Sequence, residues 1–462
     1  VNLNVVILAA GAGTRMRSQQ AKVLHRVGGK PLLARVIETA QQLQPSRIAV
    51  VYGHDGESVR GALVDYPVEW IEQSERLGTG HALAQAMPHL SDHDALLVLY
   101  GDVPLINQET LRRLVNIAME DNALALLTAI LPNPHGYGRI LRDANGEVSR
   151  IVEEKDATAE QRRIQEINTG FLAASTARLR SWLARLDNNN AQKEYYLTDV
   201  VALAVSDGVA VTTTHPRDEG EILGVNNRAQ LADLERRYQR AIAEQLMLSG
   251  VTLLDPARFD VRGKLETGAD VTIDVNVIIE GHVKLGHRVT IASNCVLRDC
   301  DIGDDVEILP NCVIEHAVLG AHSRIGPFAR IRPETTLAEH VHIGNFVEVK
   351  KSSIAKGSKV NHLSYIGDTI MGSNVNIGAG TITCNYDGAN KHVTHIGDRV
   401  FVGSDTQLVA PVRVGNDATI AAGTTVTKDI PEGVLCISRV PQQVRNGWRR
   451  PQKKPKPNTS GS

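Results

Sequence analysis

Apolar positions return along this chain with three different periods, and each period predicts a different kind of element. From about Val271 to Asp429 the period is six. Ile279, Leu285 and Ile291 begin it, and Ile325, Ile343, Ile377, Ile396, Val402, Val414 and Ile420 continue it, each followed by a small or polar residue. Four positions after such an aliphatic residue stands a small or β-branched one, such as Val283, Val289, Cys295, Val347, Thr381, Val412 or Thr424. A helix needs apolar returns at three and four, and a two-sided strand needs them at two. A period of six predicts short strands separated by tight turns and wound into a solenoid. The amino-terminal half reads otherwise. Val5–Leu8, Ile48–Tyr52 and Ala95–Tyr100 are continuous apolar runs suited to strands buried on both faces. Between the first two, Pro31 opens a helix with Leu32, Leu33, Val36, Ile37 and Ala40 on one side. From Arg228 to about Met247 a helical stripe (Leu231, Leu234, Tyr238, Ala241, Ile242, Leu246) runs until Gly250 stops it. The expected domains are an α/β sheet domain over 1–227, a helical linker over 228–250, the solenoid over 251–437, and a tail over 438–462 with a disordered end.

Bulk properties narrow the field. A chain of 462 residues exceeds one compact core. Lys plus Arg (50) nearly balance Asp plus Glu (52), so no global field favours nucleic acid or a membrane surface. Aromatics make up only 4%, as suits a narrow interior of aliphatic side chains. The five cysteines form no Cys-x-x-Cys pair and lie in the second half, which suggests neither zinc nor a disulfide framework. No apolar run approaches eighteen residues, and the opening segment lacks a basic leader. The expectation is a cytoplasmic protein with small-molecule substrates and neither nucleic acid nor membrane as partner.

The chemistry concentrates at the ends of strands. Val5–Leu8 runs into Ala9-Ala10-Gly11-Ala12-Gly13-Thr14-Arg15-Met16, a Gly-rich loop whose backbone N–H groups can meet phosphate, with the cations Arg15 and Lys22 close behind. Met16 stands where a Rossmann fingerprint has its third Gly, and the Walker Gly-Lys-Ser/Thr ending is missing. Asp102 follows the Ala95–Tyr100 strand, on the edge where such sheets bind ligands. The repeat is interrupted at Val360–Tyr365 and again at Ile382–His395, and loops leaving a solenoid tend to build its site. His362 lies in the first interruption and is suited to base work.

These residues carry a resemblance. The six-residue repeat resembles the hexapeptide-repeat, left-handed parallel β-helix family, with three hexapeptides to a triangular coil. The Gly-rich loop resembles the signature of sugar-nucleotide pyrophosphorylases, Leu-x-x-Gly-x-Gly-Thr-x-Met followed by Lys22, with Ala21 in place of the usual Pro. Taken over residues 3 to 450, the chain resembles the bacterial bifunctional enzymes that make UDP-N-acetylglucosamine. That resemblance implies a Rossmann-like nucleotidyltransferase followed by an acetyltransferase β-helix, with UTP and acetyl-CoA as co-substrates, Mg²⁺ as cofactor and a homotrimeric assembly. It assigns Leu8, Ala9, Ala10, Gly11, Arg15, Lys22, Gln73, Gly78, Thr79, Tyr100, Asp102, Gly138, Glu153, Asn168 and Asn226 to uridylyl transfer, with Asp102 and Asn226 on the metal. Gln73, Gly78 and Thr79 would read uracil, Gln73 through a paired donor and acceptor, while Gly138, Glu153 and Asn168 would meet the amino sugar and ribose. It assigns His362 as the base of acetyl transfer, with Arg332, Lys350, Tyr365 and Asn376 on glucosamine-1-phosphate and Ala379, Asn385, Tyr386, Ser404, Ala422 and Arg439 on acetyl-CoA. In such enzymes the Ile382–His395 loop reaches across to the next subunit. Two competing readings are a single-activity pyrophosphorylase with an assembly solenoid and a non-catalytic sugar-nucleotide sensor. The chemistry-bearing residues of both halves count against them.

Overall fold

The computed structural model describes residues 2–11, 13–53 and 56–453; Ala12 and the end of the expected disordered tail lie outside them. Contacts divide the chain into two compact units, Val1–Glu266 with Thr272–Val283, and Thr267–Val271 with Lys284–Ser462.

In the first unit the apolar runs form one sheet, in the order Val211–Thr214, Leu124–Ile130, Glu166–Ser175, Ala95–Tyr100, Leu3–Ala9, Arg47–Tyr52, Glu69–Glu72. Along this path the pairs are parallel except those of Glu166–Ser175, which is antiparallel to both neighbours. Alternation along Leu3–Ala9 explains the continuous hydrophobicity. Val5 and Ile7 enter one core with the helices Leu32–Gln41 and Gln108–Glu120. Val6 and Leu8 enter the opposite core with Thr79–Ala86, Thr176–Leu183 and Val200–Ser206. The register of Glu166–Ser175 slips between Asn168 and Leu172, a bulge that brings Gly170 against the Tyr100 ring.

The helix expected as a linker, Arg228–Leu248, is docked into this unit. Asn227 caps it by accepting from the Gln230 amide at 2.9 Å. Gln239, buried on its inner face, hydrogen-bonds both the N–H and the carbonyl of Val261. Glu235 accepts from the Gly28 amide, and Arg35 lies 4.0 Å over the Tyr238 ring.

The second unit is a parallel β-helix. One ladder runs through nine strands from Thr290–Ile291 to Leu435–Cys436. Its inward residues form an aliphatic column, Ile291, Ile308, Ile325, Ile343, Val360, Ile377, Val402 and Ile420, all buried. The chain turns at three corners, each marked by left-handed residues stacked coil upon coil. Arg288, Asp305, His322, His340 and Asn374 mark one; Asn294, Asn311, Phe328, Phe346 and Leu363 the second; Asp299, His316, Glu334, Lys351 and Asp368 the third. Three corners per coil are what three hexapeptides demand. Among the described residues no helix is long and apolar enough to cross a membrane.

One expected interruption is absent. Lys359 pairs with His342 before it and Asn376 after it, so the coil passes unbroken through Val360–Tyr365, with Leu363 at a corner. The aliphatic phase is kept there, with Ile354, Val360 and Ile366 six residues apart and all buried, and the polar Asn361 and His362 fall outside that column. The second interruption is an insertion. Ser353 pairs with Ile370, but Ile370 pairs with His395, and the extra residues lie between Cys384 and Thr394.

Candidate functional site

At the carboxyl edge of the parallel strands a cleft of about 340 Å³ opens. Leu8, Ala9, Ala10, Gly11, Lys22, Gln73, Gly78, Thr79, Tyr100 and Asp102 all line it, together with Arg76 and Glu194, which the sequence reading did not include. Arg15 is exposed on the one-turn helix Thr14–Met16 and is not among the lining residues; its neighbour Met16 is the buried anchor of that turn. Ala21, at the usual Pro position, has φ −53° and ψ 136°. That lies within proline's range, so the loop keeps the shape a Pro would impose.

The floor of the cleft gathers oxygen donors around one point. The Lys22 ammonium is ion-paired with the Asp102 carboxylate and lies 3.5 Å from the Asn226 amide oxygen. Asn226 is carried there by the loop whose Val225 N–H donates to the Asp102 carbonyl at 3.0 Å. A carboxylate and an amide oxygen converging on a cation is a donor set that fits Mg²⁺, which takes hard oxygen ligands and few from protein.

The turn that closes the cleft is braced from behind. Gln73, buried, has its amide nitrogen 3.1 Å from the Gly78 carbonyl and 3.0 Å from His81 Nδ1. The Gln73 amide thus donates one N–H to the turn, and its oxygen remains for a ligand.

Gly138, Glu153 and Asn168 do not line the cleft but form a cluster beside it. The Asn168 amide donates to the Gly138 carbonyl at 2.9 Å, and a side chain at Gly138 would meet the Glu153 carboxylate. The Glu153 carboxylate accepts from the Thr198 hydroxyl at 3.0 Å. Burial pushes the Glu153 carboxyl above the usual range, with Asp199 and Asp156 adding to the effect and Thr198 opposing it. Tyr100 links cluster and cleft; burial, then the Glu153 and Asp102 charges, raise its phenol.

In the β-helix the register sorts the residues expected to serve acetyl transfer into groups. Asn345 pairs with His362, and Ala379, Ser404 and Ala422 occupy the equivalent place on later coils, two residues beyond the paired Ile377, Val402 and Ile420. These five form one column along a corner. Arg439 closes it, with Nε and Nη2 donating to the Ala422 carbonyl at 3.0 and 2.8 Å. Asn345, absent from the sequence reading, has its Oδ1 3.0 Å from His362 Nδ1. An amide oxygen only accepts, so Nδ1 is the donor in this contact and Nε2 is left free of it.

Arg332, Lys350 and Tyr365 share another face, with Arg332 held at 2.7 Å by Glu348. Asn376 lies in the other ladder, between Lys359 and Phe401, and does not join them within one chain. The inserted loop turns back on itself. Tyr386 bridges Lys391, and Asp387 accepts from the Ala389 and Asn390 amides and from His392. Those bonds hold the Asp387 carboxyl below the usual range. Asn385 is buried at the loop's base, donating to Asp368 and, at 3.3 Å, to the Tyr365 hydroxyl, while Tyr386 is exposed. The loop also brings Lys391 beside Lys350, whose amine and charge hold Lys391 below the ordinary lysine range. Two ammonium groups near Tyr365 are suited to a phosphate, and Lys391 was not among the expected residues.

Comparison with known proteins places both halves. The MobA-like NTP transferase domain family matches residues 5–167, the GMPPB C-terminal domain family residues 261–345, and the six-repeat bacterial transferase hexapeptide family residues 394–428. A solved UDP-glucose pyrophosphorylase complexed with UDP-glucose aligns with TM-score 0.43 at 14% identity, covering 52% of this chain and 100% of that one. A nucleotidyl transferase from Methanothermobacter thermautotroptrophicus aligns with TM-score 0.38 at 20% identity, covering 52% and 99%. The bifunctional protein GlmU of Ralstonia nicotianae is 59% identical over 454 residues, 98% of this chain and 100% of that protein. With that identity running from end to end, this chain belongs to the family of bifunctional GlmU proteins.

Proposed function

We propose that the chain performs two successive steps of UDP-N-acetylglucosamine synthesis in the cytoplasm. The β-helix transfers acetyl from acetyl-CoA to glucosamine-1-phosphate, and the sheet domain then transfers uridylyl from UTP to N-acetylglucosamine-1-phosphate, releasing pyrophosphate. What carries this reading is the Lys22, Asp102 and Asn226 convergence beside a Gly-rich loop, in a chain of the GlmU family that also holds an oriented His362.

In uridylyl transfer the nucleophile is a phosphate oxygen, already ionised, so no side chain need remove a proton. The task is to position two anions and to offset charge as pyrophosphate departs. Backbone N–H groups of the loop at Gly11 and the Lys22 ammonium supply fixed positive charge. Asp102 and Asn226 would hold Mg²⁺, which when bound neutralises phosphate charge. The Gln73 oxygen accepts from the N3–H of uracil, a hydrogen that cytosine lacks at this position, and Glu153, Gly138 and Asn168 bind the amino sugar.

Acetyl transfer needs a base for the ammonium of glucosamine-1-phosphate. His362 Nε2 takes that proton, with Nδ1–H fixed by Asn345. Arg332, Lys350 and Tyr365 hold the phosphate side, and the Ala379, Ser404, Ala422 and Arg439 column receives acetyl-CoA. Asn376 lies on a different face from Arg332, which supports the reading that the complete site draws on two subunits of a homotrimer. Asp102→Ala tests the division of labour. Uridylyl transfer should fall by at least about a thousandfold while acetyl transfer persists. Loss of both activities from a folded variant would refute two independent sites.

A further inference from the structure

Between the nucleotide cleft and the amino-sugar cluster runs a short segment, Glu194–Asp199, whose bonds alternate in direction. Tyr195 and Leu197 point their backbone groups at the turn around Gly78. The Tyr195 N–H donates to the Leu77 carbonyl at 2.7 Å, its carbonyl accepts from the Gly80 amide at 2.8 Å, and the Leu197 N–H donates to the Thr79 hydroxyl at 3.1 Å. Tyr196 and Thr198 point the other way. The Tyr196 hydroxyl donates to Asp156 at 3.3 Å, and the Thr198 hydroxyl donates to Glu153 at 3.0 Å. Tyr196 has extended backbone angles, φ −77° and ψ 124°, and caps the one-turn 3-10 helix Leu197–Asp199, which carries Thr198 round to the Glu153 side. The fit against the turn is close enough to exclude side chains, since a Cβ at Gly80 would come within 2.9 Å of the Tyr195 carbonyl oxygen.

We infer that this segment is a strap tying the base-reading turn to the sugar-reading carboxylate, and that Thr198 is a positioning residue which fixes Glu153 for the amino sugar. The inference rests on the uridylyl-transfer reading above. Three strap bonds fasten it to the Gly78 turn, so its position is set by the nucleotide side. One hydroxyl then sets the rotamer of a carboxylate that burial would otherwise leave poorly solvated. Val has the shape of Thr without the hydroxyl, and Ser keeps the hydroxyl without the methyl group, so the two substitutions separate hydrogen bonding from packing.

The test measures steady-state uridylyl transfer by the full chain, varying N-acetylglucosamine-1-phosphate at saturating UTP and then the reverse. Thr198→Val should raise KM for the sugar phosphate about tenfold, the effect of one hydrogen bond to a charged group, and leave KM for UTP within about twofold. Thr198→Ser should restore the wild-type value. If Thr198→Val does not fold, Thr198→Ala is read in the same way. Equal KM values for Val and Ser variants, or equal rises for both substrates, overturn the strap and leave the functional reading standing. A wild-type enzyme that transfers nothing to the sugar phosphate overturns the functional reading and the strap with it.

Discussion

Replacing Gly78 with Ala should cripple uridylyl transfer, and the same substitution at Gly146 supplies the control. Gly78 has φ +105° and ψ 176°, a region essentially closed to side-chain-bearing residues and costing them roughly 1–3 kcal/mol. An added Cβ there would stand 2.6 Å from the Tyr195 carbonyl oxygen and 2.9 Å from the Tyr195 nitrogen and the Glu194 Cβ. Two of those neighbours are backbone, so relief requires the turn or the strap to move by several tenths of an ångström, adding roughly 1–3 kcal/mol. A displacement approaching 1 Å at a positioning element costs about a hundredfold in rate. Gly146 shares the positive φ, +84°, but nothing lies within 4 Å of its added Cβ. It sits in a turn where Asp143 accepts from the Asn145 and Glu147 amides. Gly146→Ala should therefore cost about 1–2 kcal/mol of stability and no activity. Pyrophosphate release reports one reaction and thiol release from CoA the other, with thermal unfolding alongside. Uridylyl transfer should fall about a hundredfold in Gly78→Ala alone, with acetyl transfer kept in both variants. Equal uridylyl activity in the two variants would refute the close packing of turn and strap.

Further outcomes are open to measurement. Glu153 has a raised carboxyl in the folded chain, so the fold binds its proton more tightly than the unfolded chain does, and stability falls as pH climbs through that raised value. Glu153→Gln should thus raise the melting temperature at neutral pH relative to wild type, while uridylyl transfer drops; an unchanged or lower melting temperature would contradict the burial argument. His362→Ala should abolish acetyl transfer. Asn345→Asp, placing a negative charge 3.0 Å from Nδ1, should move the acid limb of the acetyl-transfer pH profile upward, because the imidazolium gains a partner. An unmoved limb would disconnect Asn345 from the base. Sedimentation equilibrium should give near three times 50.1 kDa. Reassorted mixtures of His362→Ala and Asn385→Ala chains should regain part of the acetyl transfer that neither shows alone; no recovery would mean each site is built from one chain.

How much could be read beforehand followed from how local the physics is. The β-helix was legible because every rung repeats one demand, an aliphatic residue facing the same column, so Ile291, Ile308 and Ile325 announce it together. The Gly11 loop, Lys22 and Asp102 were legible because strand ends are fixed by apolar runs. Left-handed corners were not: Phe328 and Phe346 are poor residues for that conformation, and only the coil closing around them imposes it. Asn345 escaped notice although it stands one coil before His362, a spacing that places any two residues side by side once the rung length is known. The Thr198 bond to Glu153 had no signal of any kind, since it joins residues that only the folded sheet brings together. The Gln73 bond to the Gly78 carbonyl was likewise not readable, since it depends on how the turn folds back.

The inserted loop after Cys384 also bears on how such a chain can change over generations. Within a rung, losing one residue would rotate Ile343 outward and carry His342 into the aliphatic column, and every rung above would have to follow. At the Cys384–Thr394 corner extra residues leave and return while Ile370 still meets His395 in step. A coil of this kind therefore rejects small errors in length everywhere except where it bends. New parts can be acquired at those bends without renegotiating the rest, and the novelty they bring arrives already beside a surface held rigid by its neighbours.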